Sequence, residues 1–388
     1  MMSRSMCRSL SPLALAAVLL AAPAAALAGE TEDMEGGGIS QKLTFEGYGE
    51  LHFNIPNLPE EGNPAPTKGD PATADFHRMA LGFAYQYTDR ISLHAELDFE
   101  HAAQDIELEF AYVDFMIGPW LTVRGGAVLE PIGSLNEFHE PLFFYSVERP
   151  YIQTLLIPTT WGGAAAGISG EWQDIRYRMY LTSGLDASGF TAAGGIQGGV
   201  RQLDQAASAG LAYAGRLEYV GFPGFMAGAS AFIEPQANQR NASPPLDANP
   251  GVRLFEGDLR FRKAGFDLQG TIVQTRIKDA ATLSADLSEN IGVIEFGWNV
   301  EGAYHVLDLL APESDQDLVI FVRYEQFDTQ AKMPSGFVAD PANNHDVITA
   351  GLSYMPISHI AIKADHESWA DGRSDHEHRT NLGLAYMF

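Results

Sequence analysis

The sequence predicts an all-β protein, a transmembrane antiparallel β-barrel of 16 strands whose long third loop folds into the lumen. Three observations predict this fold. Apolar and polar residues alternate along most of the chain, no apolar stretch after the first 28 residues is long enough to span a bilayer as a helix, and one long apolar connection interrupts the alternation at residues 130–160. Such alternation gives a strand one apolar and one polar face.

The N-terminus, residues 1–28, has the pattern of a cleaved secretory signal peptide. Arg4 and Arg8 form a basic region before an apolar run from Leu13 to Ala22, and the stretch ends at Ala28 with a small-x-small cleavage pattern. A membrane anchor is the alternative, but the apolar run is shorter than the roughly 20 residues that a spanning helix needs. We therefore expect an exported protein.

The mature chain is acidic and lacks thiols. Residues 29–40 form a flexible, acidic and glycine-rich lead, and residues 41–388 form the predicted barrel. The only cysteine is Cys7, which lies within the signal, so disulfides and cysteine metal sites are excluded. The formal net charge of −26 argues against nucleic acid as a partner, since such binding needs cations that neutralise phosphates.

Period-two alternation is clearest from Ile91 to Glu100, where apolar Ile, Leu, Ala, Leu and Phe alternate with polar residues. Most of the predicted strands are longer than the roughly 5–6 residues usual in soluble sheets and suit a tilted transmembrane strand of about 9–11 residues with its ends. The sixteen runs lie near 41–54, 74–87, 90–102, 105–117, 119–129, 161–171, 173–184, 209–220, 223–235, 251–263, 265–277, 290–306, 317–330, 344–355, 358–369 and 378–388.

The connections between these runs alternate between tight turns and longer segments. Short turns at one end and long loops at the other are typical of transmembrane β-barrels. Two connections break the pattern: His101–Gln104 is short on the long-loop side, and Leu307–Gln316 is long on the short-turn side.

The last strand ends in an aromatic residue. Leu382, Leu384, Tyr386 and the terminal Phe388 share one face. This ending resembles the recognition signal of outer-membrane barrel proteins. The resemblance implies the barrel-assembly machinery as a partner through the Phe388 strand, the outer-membrane lipid as surroundings, and the outer membrane of a Gram-negative bacterium as the location.

The polar face of a barrel of this size lines an aqueous lumen, because about sixteen strands are too many for a packed interior. Strand parity therefore predicts which charged residues line the pore. They are Arg78, Arg124, Arg176, Arg178, Arg216, Arg260, Arg262, Arg323, Glu96 and Asp98.

Residues 130–160 form neither a helix nor a strand in the sequence pattern. Four prolines break any helical hydrogen-bond ladder, and the aromatic and apolar content argues against disorder. Long loops are usually functional or disordered, so we expect a constriction loop. Its predicted constriction residues are Glu137, His139, Glu140, Glu148 and Arg149.

Several stretches resemble the phosphate-selective porin family (porins O and P). The stretches are Phe76–Phe83, Ile91–Asp98, Pro131–Pro141, Val147–Pro150 and Ile157–Trp161. The resemblance implies a sixteen-stranded barrel that forms a homotrimer and has an inward-folded third loop. Phosphate-specific members are known for arginine ladders and a lysine cluster in the pore.

The leading interpretation is a porin for passive diffusion of ions or small hydrophilic solutes. It predicts no enzyme, no catalytic residue, no metal site and no cofactor. One alternative is specific uptake of phosphate or another anion, although by parity only Lys42 and Lys363 among the lysines face the lumen. The alternative from another class is a barrel enzyme with a His/Asp rim at His366–His378, where His376 and His378 would share a strand face.

Overall fold

The structure is a computed structural model that describes residues 42–55, 72–201, 210–237, 246–373 and 376–388. The signal sequence and the acidic lead lie outside these ranges. Within them, sixteen antiparallel strands form a closed barrel. Each strand pairs with its neighbours in chain order, and β1 closes the barrel by pairing with β16. The predicted fold class, a 16-stranded antiparallel barrel, is confirmed.

Each of the sixteen predicted runs overlaps one strand. The strands are β1 (Leu43–Ile55), β2 (Thr73–Thr88), β3 (Ile91–Glu100), β4 (Asp105–Gly118), β5 (Leu121–Leu129), β6 (Gly162–Trp172), β7 (Ile175–Ser183), β8 (Leu211–Phe222), β9 (Phe225–Glu234), β10 (Gly251–Lys263), β11 (Phe266–Lys278), β12 (Ile294–His305), β13 (Asp317–Lys332), β14 (Asn344–Ile357), β15 (Ile360–Asp371) and β16 (His376–Met387).

The strands have a buried polar face and an exposed apolar face, as the alternation predicts. In β10, Glu256 and Asp258 are buried, whereas Phe255 and Leu259 are exposed. A soluble protein would bury the second pair because apolar burial stabilises a fold by about 25 cal/mol per Å². We call the two sides the polar face and the apolar face.

The closure of the barrel involves the last residue. The backbone N–H of Gly47 donates to the carbonyl of Phe388 at 3.0 Å, and the N–H of Phe388 donates to Gly47 at 2.9 Å. Leu382, Leu384 and Phe388 are exposed on the apolar face. The shared face of the terminal strand is therefore confirmed.

Two short helices lie where the sequence pattern predicted irregular structure. Helix α1 (Ala280–Leu287) occupies the predicted loop between β11 and β12, and the strand expected from residue 290 begins only at Ile294. Alanine and leucine favour this helix, and Asp279 and Ser288 flank it in left-handed conformations. Helix α2 (Val306–Leu310) fills the long connection on the short-turn side. Within the described ranges, neither helix nor any other is long and apolar enough to cross a membrane.

A buried apolar cluster joins residues 130–160 to the barrel wall. Tyr151 packs against Trp369 of β15 with ring centroids 4.4 Å apart, and Ile152, Leu156 and Ile157 are almost completely buried in the same cluster. The cluster also contains residues of the β7–β8 connection and of α1. This packing accounts for the apolar residues in the second half of the segment, which includes a short 3₁₀ turn at Tyr151–Gln153.

Candidate functional site

Residues 130–160, which we call the long segment, connect β5 to β6 and contact strands far from both. The Tyr145 hydroxyl donates to Asp267 of β11 at 2.7 Å. The Val147 N–H donates to Asp365 of β15 at 2.6 Å. The Ile152 N–H donates to Glu325 of β13 at 3.2 Å. Proline prevents a regular ladder here, so the carboxylates of Asp365 and Glu325 satisfy backbone donors that would otherwise be buried without partners.

Lys363 of β15 holds the middle of the long segment. Its ammonium donates to the carbonyls of Phe144 and Ser146 at 2.8 and 2.9 Å and also to the carbonyl of Pro141. The same nitrogen lies 4.1 Å from the centroid of the Phe144 ring. Lys363 is buried, so these three carbonyls, which belong to the turn formed by residues 141–146, replace water around the charge of the ammonium.

The predicted constriction residue Glu137 forms an ion pair with a predicted pore-lining arginine. Its carboxylate lies 2.9 Å from Nε of Arg178, whose guanidinium also contacts Glu218 of β8 at 2.9 Å. Burial raises the pKa of Glu137, and the positive charge of Arg178 opposes that shift. The two predicted groups therefore meet, which strand parity alone could not establish.

His139 and Glu140 lie beside the acidic wall of β3 and β4. Nε2 of His139 is 2.5 Å from a carboxylate oxygen of Glu109 and 3.0 Å from the Tyr48 hydroxyl. Glu96, Glu109 and His139 offer ligand atoms that all lie within 4.8 Å of one another. Burial raises the pKa of Glu140, because removing the carboxylate from water disfavours its charged form.

Glu148 and Arg149 have different partners. The Glu148 carboxylate lies 3.3 Å from Nδ1 of His52 and accepts a 2.9 Å hydrogen bond from the Asn54 amide. Burial opposes ionisation of Glu148, but the charge and hydrogen bond of His52 together with the charge of Arg379 outweigh burial and lower the pKa of Glu148. Arg149 donates to the Thr159 hydroxyl at 2.7 Å within the long segment. Burial lowers the pKa of Arg149 to about 10.

Seven of the eight predicted pore-lining arginines are paired with carboxylates of described residues, and Arg262 is the exception. Each pairing fixes a guanidinium on the polar face and removes much of its free positive charge. The shortest contacts are Arg78–Glu50 at 3.0 Å, Arg124–Asp114 at 2.8 Å, Arg216–Asp258 at 2.7 Å, Arg260–Asp267 at 2.6 Å and Arg323–Glu325 at 2.7 Å. The predicted acid Asp98 also contacts Arg78, at 3.7 Å.

Two of the predicted arginines lie at strand ends. Arg176 and Arg262 are exposed next to the short turns after β6 and β10. Arg176 pairs with Glu171 at 3.0 Å, and Arg262 lies 3.3 Å from Nδ1 of His305. Strand parity predicts which face a side chain lies on but not how far it lies from the end of the strand. The positions of Arg176 and Arg262 near the turns were therefore not predictable from parity.

Acidic residues dominate the buried charged groups. Among the described residues, sixteen Asp or Glu side chains are buried against six Arg or Lys side chains. The predicted acids Glu96 and Asp98 are among them. Buried acidic side chains therefore outnumber buried basic ones in the part of the chain that the structure describes.

Two cavities adjoin the long segment. The larger has a volume of about 710 Å³ and is lined by residues that include Glu137, His139 and Glu140 together with Glu96 and Arg124. The smaller has a volume of about 210 Å³. Phe138 and Arg178 line both, so the ion pair of Arg178 with Glu137 lies between the two spaces.

The histidine rim lies on the other face of the barrel wall. His366 and His378 are exposed, and their rings are stacked with centroids 5.5 Å apart. His376 is also exposed, as the predicted shared face requires, whereas Asp375 is outside the described residues. Nδ1 of His366 lies 3.0 Å from the Thr380 hydroxyl. This pair is separate from the buried charges around the long segment.

The sequence interpretation missed the tyrosines of the long segment as hydrogen-bond donors. Tyr145 reaches Asp267, and Tyr151 reaches Glu367 at 2.9 Å. Both had been grouped with apolar residues. A buried tyrosine usually finds a polar partner for its hydroxyl, so the choice of Tyr over Phe was the available signal.

Comparison with known proteins identifies one sequence relative and many structural ones. An uncharacterized protein of Aquifex aeolicus (strain VF5) is 30% identical over 372 residues, which cover 90% of this chain and 81% of that protein. No protein-family model matches the chain.

Some of the structural relatives are described as an outer-membrane channel or a porin. The outer membrane channel DcaP of Acinetobacter baumannii superposes with a TM-score of 0.57 and 11% identity, covering 89% of this chain and 97% of that chain. The anion-selective porin from Comamonas acidovorans gives a TM-score of 0.56 and 11% identity, covering 89% and 99%. OprB of Pseudomonas putida gives 0.57 and 8%, covering 90% and 95%. At these identities the likeness shows the porin-type 16-stranded fold.

Proposed function

We propose that this chain, which belongs to the same family as the uncharacterized protein of Aquifex aeolicus, is an outer-membrane porin for passive diffusion of ions and small hydrophilic solutes. The observation that carries the proposal is a closed 16-stranded barrel with a buried, charged face and an exposed apolar face. An exposed apolar band suits lipid, and about sixteen strands enclose an aqueous channel. The channel has no catalytic step and needs no cofactor.

We infer that the long segment crosses the inside of the barrel and narrows the channel. The segment connects β5 to β6, but it forms hydrogen bonds to polar-face side chains of the distant strands β11, β13 and β15. It also contacts Tyr48 and His52 of β1. A segment inside a closed wall can contact so many strands at once, whereas a loop outside cannot.

The charge balance favours cations over anions. The arginines expected to attract anions are held by carboxylates, and buried acids exceed buried bases. Charged side chains that line a pore are one means by which channels select ions. We propose that the path follows the acids of β3 and β4 beside His139 and Glu140.

Phosphate uptake is the second candidate, since the sequence resembles the phosphate-selective porins. It has less support, because Lys363 is occupied by three carbonyls of the long segment. The barrel-enzyme alternative has one geometric observation in its favour, the contact of the exposed His366 with the Thr380 hydroxyl. We further propose that the chain is exported by its signal peptide, assembled through the Phe388 strand and present as a homotrimer. One structural relative, OmpT of Vibrio cholerae, was solved in a trimer form.

The test is conductance of the purified protein in a planar bilayer in KCl, before and after addition of phosphate. The proposal predicts stable channel openings that phosphate does not block. Block at low phosphate concentrations would favour the phosphate-specific alternative. Absence of any conductance from correctly folded protein would contradict the porin proposal.

A further inference from the structure

A cluster of two histidines and an aspartate lies at the end of β2 and β3, apart from the residues assigned to the constriction. One carboxylate oxygen of Asp75 lies 2.8 Å from Nδ1 of His101 and 3.4 Å from Nδ1 of His77. The ligand atoms of the three side chains all lie within 4.8 Å of one another. Neither of these histidines belongs to the rim that the sequence singled out.

A β-bulge brings His77 into this cluster. The pairing of β1 with β2 matches Glu50 to Arg78 and His52 to Asp75, so β2 carries one extra residue at this point. Bulges re-aim side chains and are common beside functional sites. Here the His77 ring stacks on the ring of the buried His52, with centroids 4.6 Å apart and an interplanar angle of 13°.

An unusual turn brings His101 to the same place. His101, Ala102 and Ala103 all have positive φ values, of 48°, 57° and 67°. The left-handed conformation is unfavourable for non-glycine residues, so three in a row need support from the surrounding structure. The turn is docked onto the bulge, because the N–H of His101 donates to the carbonyl of His77 at 2.9 Å and that of Ala102 to Phe76 at 3.0 Å.

His52 positions the cluster and is not available as a ligand. Its Nε2 lies 3.1 Å from Glu50 and its Nδ1 lies 3.3 Å from Glu148. The cluster itself is accessible to solvent: the side chains of Asp75, His77 and His101 are 31%, 26% and 47% exposed. An ion from solution can therefore reach them without opening the barrel.

We propose that Asp75, His77 and His101 form a binding site for a divalent transition-metal cation such as Zn²⁺. Two imidazole nitrogens and one carboxylate oxygen are a donor set that Zn²⁺, Ni²⁺ and Cu²⁺ favour over Ca²⁺ or Mg²⁺. Zinc bonds of about 2.0–2.2 Å place tetrahedral ligand atoms roughly 3.3 Å apart. The Asp75 contacts at 2.8 and 3.4 Å bracket that separation.

Three protein ligands leave a coordination position open to water or to a solute. The site thus differs from the sequence prediction of no metal site. It lies at the end of the strands where the longer connections emerge, beside the wall formed by Glu50 and Arg78. The metal site goes beyond the proposed channel function and does not depend on conductance.

The test is titration of the full-length, detergent-solubilised protein with Zn²⁺ against a chromophoric zinc chelator. We expect one strongly bound Zn²⁺ per chain. His101→Asn should weaken binding at least tenfold, because it removes a ligand while Asn tolerates the left-handed conformation. Asp75→Asn should weaken binding similarly at a residue of β2 that lies outside the turn, so weaker binding in both variants cannot be attributed to a changed turn backbone.

His378→Asn is the matched control, because the exposed pair of His366 and His378 is a competing imidazole site. It should leave the affinity unchanged. Binding that survives His101→Asn and Asp75→Asn but is lost in His378→Asn would overturn the proposal, as would no binding of Zn²⁺ to the wild type. Unfolding temperature in detergent verifies that each variant retains the barrel. The experiment measures metal binding and not conductance. A negative result would therefore contradict the metal site without contradicting the porin proposal.

Discussion

Replacing Lys363 by methionine should release the long segment from the barrel wall. The substitution keeps an unbranched apolar side chain but removes the ammonium that binds the carbonyls of Pro141, Phe144 and Ser146. A hydrogen bond to a charged group contributes about 1.5–3 kcal/mol, and three buried carbonyls lose such a bond in this variant. We therefore expect the equilibrium for detachment of the segment to rise on the order of a thousandfold.

Limited proteolysis with chymotrypsin measures this detachment directly, because the turn contains Phe143, Phe144 and Tyr145. Cleavage within the turn should accelerate strongly in Lys363→Met, and single-channel recordings should show larger or noisier openings. Lys263→Met is the matched control, since Lys263 is exposed at the end of β10. Equal cleavage rates in the two variants and unchanged channels would refute the assigned role of Lys363.

Three further substitutions test the long segment. Burial raises the pKa of Glu130 to about 8, so the native state keeps a proton that the unfolded chain loses near pH 4.3. The stability that this proton contributes is present at low pH and is lost as the pH rises through about 8. Glu130→Gln should therefore reduce the fall of the unfolding temperature between pH 5 and pH 9. Glu137→Gln should remove one of the two carboxylates that pair with Arg178 and so raise chloride permeability; an unchanged permeability ratio would show that the pair does not border the path. Tyr151→Phe should lower the free energy of unfolding by about 1–3 kcal/mol, because the buried carboxylate of Glu367 loses a donor. Equal denaturation midpoints for this variant and the wild type would contradict that estimate.

The barrel was largely predictable because the period of two is a local property of the chain. Each strand carries its own apolar and polar faces, and the order of the strands follows the order of the sequence. Local patterns failed where an element interrupts the alternation. Helix α1 occupies residues assigned to a loop, and the bulge in β2 moves His77 to the face opposite the one that parity predicts.

The candidate site was predictable in its residue types but not in its pairings. Strand parity predicts that Arg178 lines the pore, and the position of Glu137 in the long segment predicts that it lies at the constriction. The contact between the two residues depends on how a proline-rich connection folds across the barrel. The partners of Lys363 are backbone carbonyls more than 200 positions away in sequence. The periodicity of the sequence cannot predict these contacts of Lys363, because they form only when all sixteen strands close into the barrel.

The reversal potential under a KCl gradient tests the central claim most directly. The account predicts a potential of the sign set by potassium, because acidic side chains outnumber basic ones among the buried charged groups that the structure describes. It also predicts a preference that declines with rising salt as charges are screened. A potential of the sign set by chloride would contradict the account, since it would mean that the paired arginines still dominate the channel.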